Sequence, residues 1–277
     1  LDCLTRSRLS FALYRLPWTD ECYFVLQQSG DVEQLADIRE LNKKKGFVMA
    51  PFLQSDHHPL IVIRPDITAY DWDEISEAIS SLECADALLT CKNQTEKLSP
   101  FVSEETDKER YTQAFERFIT PLQKKHFQKL VLSRSSTKHI NDDFSPLAAF
   151  VRACNNYPRM MIYLCHTPVS GTWVGSTPEI LLSGHGKEWH TVALAGTMPM
   201  QNEVMPMDWD KKNQDEQGYV ADYIRRIIKK FGNKMNEKGP YTARAGQLLH
   251  LKTDFYFLLK NTDNIGNLLQ ELHPTPA

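Results

Sequence analysis

Four short segments of the chain carry polar residues beside apolar runs, where a side chain that only builds a core would be apolar. They contain Lys129, Glu179, Ala195-Gly196-Thr197 and Asp215-Glu216-Gln217. An amine and a carboxyl group in one cleft can serve as base and acid when their surroundings displace the two pKa values in opposite directions. Taken singly, each segment also has a structural interpretation: a solvated strand end for the lysine, a helix start for a glutamate on a helix, a turn for 175–178 and a positive φ for Gly196. Their order along the chain is therefore the stronger evidence.

Length and composition exclude several classes of protein. The chain has 277 residues, of which 42% are hydrophobic and 24% charged, as in an ordinary globular protein and unlike a disordered or fibrous one. The net charge of −3 and the lack of a basic stripe argue against nucleic acid as a partner. The longest apolar runs, such as 160–165, are far shorter than the ~20 residues that cross a membrane. The six cysteines form no Cys-x-x-Cys pair, which argues against a disulfide framework or a zinc site and favours a reducing cytoplasm.

Hydrophobic spacing predicts the elements that position these segments. Apolar residues at i, i+3 and i+4 predict helices within 103–128, from Ser145-Pro146 onward and over 210–231. Strand-like runs bounded by turn residues fall at 22–27, 47–52, 60–64, 129–132, 159–165, 172–174, 180–183 and 189–194. Because strands and helices follow one another without a linker-like interruption, the order predicts one α+β domain with large, mostly antiparallel sheets covered by helices.

Six short motifs follow one another along the chain. They are Lys129-Leu-Val-Leu-Ser-Arg134, Gly175-Ser-Thr-Pro-Glu179, Leu194-Ala-Gly-Thr197, Asp210-x-Lys212-x-x-x-Glu216, Leu249-His250-Leu251 and Leu272-His-Pro-Thr-Pro-Ala277. This order resembles that of the chorismate-utilising enzymes, which include isochorismate, salicylate, anthranilate and aminodeoxychorismate synthases. The resemblance covers about 111–277 and is looser over the divergent residues 1–105, where 46–52 is similar to a segment of menaquinone-pathway isochorismate synthases. It implies one chorismate-binding domain over 1–277, like anthranilate synthase component I, with helices outside large antiparallel sheets around a central cleft.

The resemblance also implies a reaction. Family members that add water to the ring have a lysine at the position of Lys129, so Lys129 is expected to be the base that activates water for attack at C2 of chorismate. Glu179 is expected to be the acid that protonates the departing 4-hydroxyl on the other face of the ring. The net change is the isomerisation of chorismate to isochorismate, a step of menaquinone or siderophore biosynthesis. A plain salt bridge between Lys129 and Glu179 is the structural alternative.

Further residues match binding positions of the family. Gly196, Thr197, His250 and Thr275 match positions that contact the substrate, and Glu216 matches one glutamate of a Mg²⁺ site. Mg²⁺ takes only one or two protein carboxylates, so Glu216, a second glutamate and a substrate carboxylate form a reasonable site. For His250, a structural role in the core is an equal alternative.

The chain also departs from the family pattern. Gln217 stands where the family usually has histidine, and Asn213 replaces a frequent acidic residue, which weakens the expected metal affinity. In the family, the chain continues past the segment ending at Ala277 with a second metal glutamate and an Arg-Gly-x-Tyr motif that grips the substrate carboxylates. We therefore expect this C-terminally truncated chain to have little or no turnover, and to dimerise through apolar surface that the missing segment would cover.

Two alternatives to an isochorismate synthase stay open. A salicylate synthase uses the same lysine and then eliminates pyruvate, and no residue of the sequence decides between the two enzymes. A non-catalytic chorismate-binding module would keep the cleft without the reaction. Product analysis separates the enzymes, because isochorismate alone supports the first and salicylate with pyruvate supports the second.

Overall fold

The computed structural model describes residues 1–28, 31–83, 104–141, 143–200 and 208–274. The helices are α1 (Trp72–Glu83), α2 (Glu104–Gln123), α3 (Pro146–Asn156), α4 (Lys211–Phe231) and α5 (Ile265–Leu272). The strands are β1 (Ser10–Arg15), β2 (Cys22–Gln27), β3 (Glu33–Leu35), β4 (Phe47–Met49), β5 (Leu60–Ile63), β6 (Ile67–Ala69), β7 (Met161–Thr167), β8 (Gly171–Thr177), β9 (Ser183–His185), β10 (Glu188–Pro199), β11 (Gly232–Ala245) and β12 (Leu248–Leu259). Short 3-10 helices cover Asp2–Arg6, Ile38–Leu41 and Thr262–Asn264.

These strands form a five-stranded, a four-stranded and a three-stranded sheet. Their orders are β6-β2-β1-β7-β8, β11-β12-β10-β9 and β3-β5-β4. Every pair of neighbouring strands is antiparallel. The predicted α+β fold with antiparallel sheets is therefore confirmed. None of the described helices is long and apolar enough to span a bilayer.

The chain divides into two compact units. The first comprises Leu1–Cys91 and Ser145–Thr275 and contains all three sheets, whereas the second comprises Lys92–Phe144 and the last two residues. The expectation of a single domain over 1–277 stays a prediction.

Helix α2 is the regular element of the second unit within its described residues. It confirms the helix predicted within 103–128, but the strand predicted at 129–132 is wrong, because 124–141 has no regular secondary structure. Val131 is 61% exposed, and Arg134 pairs with Asp107 of α2 at 2.8 Å. A strand needs a neighbouring strand to satisfy its backbone groups, and the described residues of this unit offer none.

In the first unit, β1 is the centre of the packing. Phe11 and Leu13 point to a core shared with α1 and α3, whereas Ala12 points to a second core shared with Ile61 and Ile63 of β5. Because successive side chains of a strand face opposite sides, β1 is buried on both faces, between the helices and the three-stranded sheet. Its nearly continuous apolar sequence follows from this position.

The predicted bounds of one strand and the predicted starts of two N-capped helices agree with the structure. Strand β2 has the predicted bounds, α3 begins after Ser145, and α4 begins after Asp210, each cap side chain accepting a backbone N–H of its helix. The strand predicted at 180–183 is misplaced. The Leu181 carbonyl accepts a hydrogen bond from Thr191 Oγ1 at 2.6 Å, and pairing with β10 begins only at Ser183.

Replacing Gly46 with alanine should destabilise the first unit. Gly46 has φ +146°, and a Cβ there would lie 2.3 Å from the Ile63 carbonyl oxygen. Strain and overlap together should lower the free energy of unfolding by about 2–4 kcal/mol, measured by urea unfolding. The matched control is Gly218→Ala in α4, where no described atom beyond the neighbouring residues and the helix's own backbone lies within 4 Å of the new Cβ, and stability should rise by about 0.5–1 kcal/mol. Equal effects of the two substitutions would contradict this account.

Candidate active site

The four-stranded sheet has one apolar and one polar face. Along β12, Leu249, Leu251 and Thr253 are buried and alternate with His250 and Lys252. Helix α4 covers the apolar face with an apolar stripe that includes Val220, Ile224 and Ile228. Because strand side chains alternate between faces, the polar side chains of β12 are displayed together on the side away from α4. This polar face is the candidate site.

A bulge in β10 carries the Ala-Gly-Thr motif. The register between β10 and β12 shifts between Ala195 and Thr197, and Gly196 has φ +66°, the left-handed conformation that favours glycine. After the bulge, Thr197 lies opposite His250, and Thr197 Oγ1 is 3.1 Å from His250 Nδ1. The structure therefore brings together three residues that the sequence predicts to bind substrate.

Gln217 fixes this bulge to α4. Its side chain is only 2% exposed, its Nε2 donates to the Ala193 carbonyl and to Thr253 Oγ1 at 3.1 and 2.9 Å, and its Oε1 accepts the Ala195 N–H at 2.9 Å. Asn213 packs against Gly196 one helical turn earlier, where a Cβ on the glycine would lie 3.2 Å away. Both departures from the family pattern thus support the shape of the bulge, a role that the sequence analysis missed.

Glu216 lies on the same turn of α4 and is half-buried. The described residues contain no group of three His, Cys, Asp or Glu side chains that could hold one metal ion. Asp215 is paired with Lys211 at 2.6 Å. Within the described part of the chain, Glu216 could offer a metal one carboxylate at most, so its role as a Mg²⁺ ligand stays a prediction.

Glu179 lies on the connection from the five-stranded to the four-stranded sheet. It is half-buried in an irregular segment after β8, and its backbone N–H donates to Thr177 Oγ1 at 3.1 Å.

Lys129 and Thr275 complete the predicted set. Lys129 is half-buried in the irregular segment of the second unit, whereas Glu179 belongs to the first. Their pairing across a substrate stays a prediction. Thr275 lies outside the described residues.

The sequence analysis also missed a polar network on the same sheet face. Asp254 is 3% exposed and accepts hydrogen bonds from Tyr241, from His190 Nε2 at 2.8 Å and from Lys252 Nζ at 3.0 Å. Burial alone would raise the pKa of Asp254, but these donors hold it below its ordinary value. The His190 ring stacks on Tyr256 at 4.5 Å. The alternation of polar and apolar residues over 249–257 was the available sequence signal.

Comparison with known proteins assigns the family. A family model described as chorismate binding enzyme matches residues 42–277. The chain belongs to the chorismate-binding enzymes. It is 31% identical over 112 residues to the isochorismate synthase MenF of Pasteurella multocida, an alignment that covers 38% of this chain and 26% of that protein. It is 25% identical over 168 residues to the salicylate biosynthesis isochorismate synthase of Pseudomonas aeruginosa, covering 57% and 35%.

Solved structures share the fold. The putative isochorismate synthase DhbC from Bacillus anthracis superposes with a TM-score of 0.68, covering 99% of this chain and 74% of that one. MenF from Escherichia coli gives 0.64, covering 99% and 70%. At 17% identity, these two likenesses show the fold alone. The alignments to the two curated relatives span about a third of those proteins or less.

Replacing Gln217 with methionine should loosen the bulge. The variant keeps the side-chain length but leaves the Ala195 N–H and the Thr253 hydroxyl buried without their partner. We expect the free energy of unfolding to fall by about 1–3 kcal/mol in urea unfolding. Gln214→Met is the matched control, because Gln214 is exposed and its side-chain amide donates to the Trp209 carbonyl. That control should lose less than about 1 kcal/mol, and a larger loss than for Gln217 would refute the assignment.

His250 should make stability depend on pH. Burial lowers its pKa below the ordinary histidine value, and a backbone hydrogen bond with Gly196 only partly opposes the shift. The unfolded chain therefore takes up the proton at higher pH than the folded chain, so stability is lost as pH falls below about 6.5. In urea unfolding from pH 8 to 5, the free energy of unfolding should fall less for His250→Asn than for the wild type as pH decreases. A difference that stays constant over this range would contradict the prediction.

Proposed function

We propose that this protein acts on chorismate as an isochorismate synthase. The observation that carries the proposal is the β10 bulge, which sets the Thr197 hydroxyl against the His250 imidazole beside the backbone of Gly196. A glycine there lets a ligand approach the main chain closely. The names of the relatives support the same reaction, since the two sequences and two structures compared above are all called isochorismate synthases.

The proposed reaction moves a hydroxyl group from C4 to C2 of the ring. Lys129 takes a proton from water as the water oxygen bonds to C2, the ring double bonds shift, and the C4–oxygen bond breaks. Glu179 gives a proton to the departing hydroxyl, which leaves as water. One water enters and one leaves, so the product is an isomer of the substrate. General acid and base groups of this kind typically contribute 10²–10⁴-fold each.

Chorismate is a dicarboxylate, and its binding needs positive charge and hydrogen-bond donors. Thr197 and His250 would hydrogen-bond the substrate on the polar face of the sheet. Because burial lowers the pKa of His250, the imidazole is mostly neutral at pH 7 and acts through hydrogen bonding more than through charge. Glu216 would hold Mg²⁺, and the bound ion would neutralise substrate charge. Because α4 covers the opposite face of the sheet, the contact of that ion with a substrate carboxylate stays a prediction.

The proposed function also implies a location, an oligomeric state and a set of partners. We propose a small-molecule substrate, a cytoplasmic location and a homodimer, with neither nucleic acid nor membrane as a partner. The products would feed menaquinone or siderophore biosynthesis.

The test is the replacement of Lys129 by alanine. A single-turnover assay, with Mg²⁺ present and the enzyme in excess over chorismate, detects even slow conversion. Isochorismate formation should fall at least about 100-fold in Lys129→Ala, because the attacking water loses its base. Lys124→Ala, an exposed lysine between α2 and Lys129, is the matched control and should stay within about twofold of the wild type.

Two results would count against this function. Salicylate and pyruvate as products would replace it with a salicylate synthase. Chorismate binding without conversion by the unsubstituted protein would indicate a binding module instead.

A further inference from the structure

A buried arginine binds the end of helix α3. Arg15, at the end of β1, is 4% exposed. Its Nη1 donates to the Cys154 carbonyl at 2.8 Å, and its Nη2 donates to the carbonyls of Tyr157 and Met160 at 2.7 and 2.9 Å. Carbonyls at a helix C-terminus lack partners within the helix and carry partial negative charge, so a cation is favoured there. The arginine thus joins the central strand to the last turn of α3.

The partners of the Arg15 guanidinium are backbone carbonyl groups. Among the residues that the structure describes, no Asp or Glu lies within ion-pair distance of Arg15, and its Nε is buried without a hydrogen-bond acceptor. A buried charge that is matched only by carbonyl dipoles remains incompletely compensated. An anion that formed beside Arg15 would therefore be stabilised.

Two thiols lie beside this arginine. Cys22 of β2 is the direct antiparallel partner of Arg15, and Cys154 supplies one of the carbonyls that Arg15 binds. Cys22 belongs to the buried apolar cluster that β1 shares with α1 and α3, Cys154 packs against that same cluster, and both cysteines are free. Cys22 is 3% exposed, whereas Cys154 is partly open to solvent. One thiol of the pair can thus meet a small reagent while the other lies behind it.

The charges distinguish the roles of the two thiols. The neighbouring Cys22 thiol lowers the pKa of Cys154, burial opposes this, and the nearby Arg15 charge lowers it further. The Cys154 thiol, together with burial, raises the pKa of Cys22. Thiolates are the reactive form of cysteine, and partly exposed thiols beside a cation are the ones that oxidise selectively. Cys154 is therefore the attacking thiol and Cys22 the resolving one.

We propose that Cys22 and Cys154 form a modification site for hydrogen peroxide, which closes to a disulfide between β2 and α3. The Cys154 sulfur attacks one peroxide oxygen, an S–O bond forms, the O–O bond breaks, and the leaving hydroxide is protonated to water. The Cys22 sulfur then attacks the Cys154 sulfur, the S–S bond forms, and the hydroxyl leaves as water with the Cys22 proton. Two thiols are oxidised, one peroxide is reduced, and two waters result.

The experiment is peptide mapping of the full chain after oxidation. The reduced protein is treated with hydrogen peroxide, remaining thiols are alkylated, and peptides are analysed by mass spectrometry without reduction. We expect a peptide pair linked through Cys22 and Cys154 that has lost two hydrogens and separates again on reduction with dithiothreitol. Cys22→Ser should stop at the first step, with a sulfenic acid on Cys154 that dimedone labels.

Cys165→Ser is the matched control. Cys165 is fully buried beside Met49, and burial raises its pKa to about 12, so this variant should form the same linkage as the wild type. Three outcomes would overturn the proposal: both thiols alkylated in full after peroxide treatment, a disulfide from either one to another cysteine, or irreversible oxidation of Cys154 while Cys22 stays reduced. Mapping of the wild type alone decides among them, so the proposal does not depend on the variants folding.

Discussion

The candidate site depends on one buried amide. The side chain of Gln217 extends from α4 to the sheet. It hydrogen-bonds the backbone of Ala193 and Ala195 in β10, just before the bulge, and the hydroxyl of Thr253 in β12. An amide donates and accepts at once, so it can satisfy an N–H and a carbonyl of the same strand, which neither an apolar side chain nor a carboxylate can do. Buried backbone groups need hydrogen-bond partners, and the amide supplies them for the Ala195 N–H and the Ala193 carbonyl beside the bulge. The placement of Thr197 against His250 follows from this.

Local sequence rules located the elements that have local causes. Ser145 and Asp210 cap their helices, and the apolar stripe of α4 has the expected spacing, so these helices begin where the sequence predicts. Prediction of β10 stopped at Leu194, although the strand continues to Pro199, because the glycine of the bulge interrupts the alternation. Strand β11 was not predicted at all. Its segment is rich in charged residues and mostly exposed, and it is extended because β12 pairs with it.

Features that depend on distant residues were out of reach of the sequence. Asp254 reads as an ordinary polar residue of a strand, yet it is buried because Tyr241, His190 and Lys252 surround it from three strands. The run at 129–132 has strand-like composition, but composition does not supply a neighbour to pair with. The resemblance to the chorismate-utilising enzymes identifies the family. The contacts of Gln217, and the grouping of Arg15 with Cys22 and Cys154, follow only from the three-dimensional structure.

Strand β12 contributes side chains to both faces of the four-stranded sheet. Its odd-numbered residues from Leu249 to Phe257 face α4, and its even-numbered residues lie on the polar face. Such a strand tolerates changes of side chain far better than changes of length. Insertion or deletion of one residue near its middle would turn every following side chain over, bringing Asp254 against the helix and Phe255 into the open. Natural variation along this hairpin should therefore accumulate as substitutions, and differences in length should be confined to its ends.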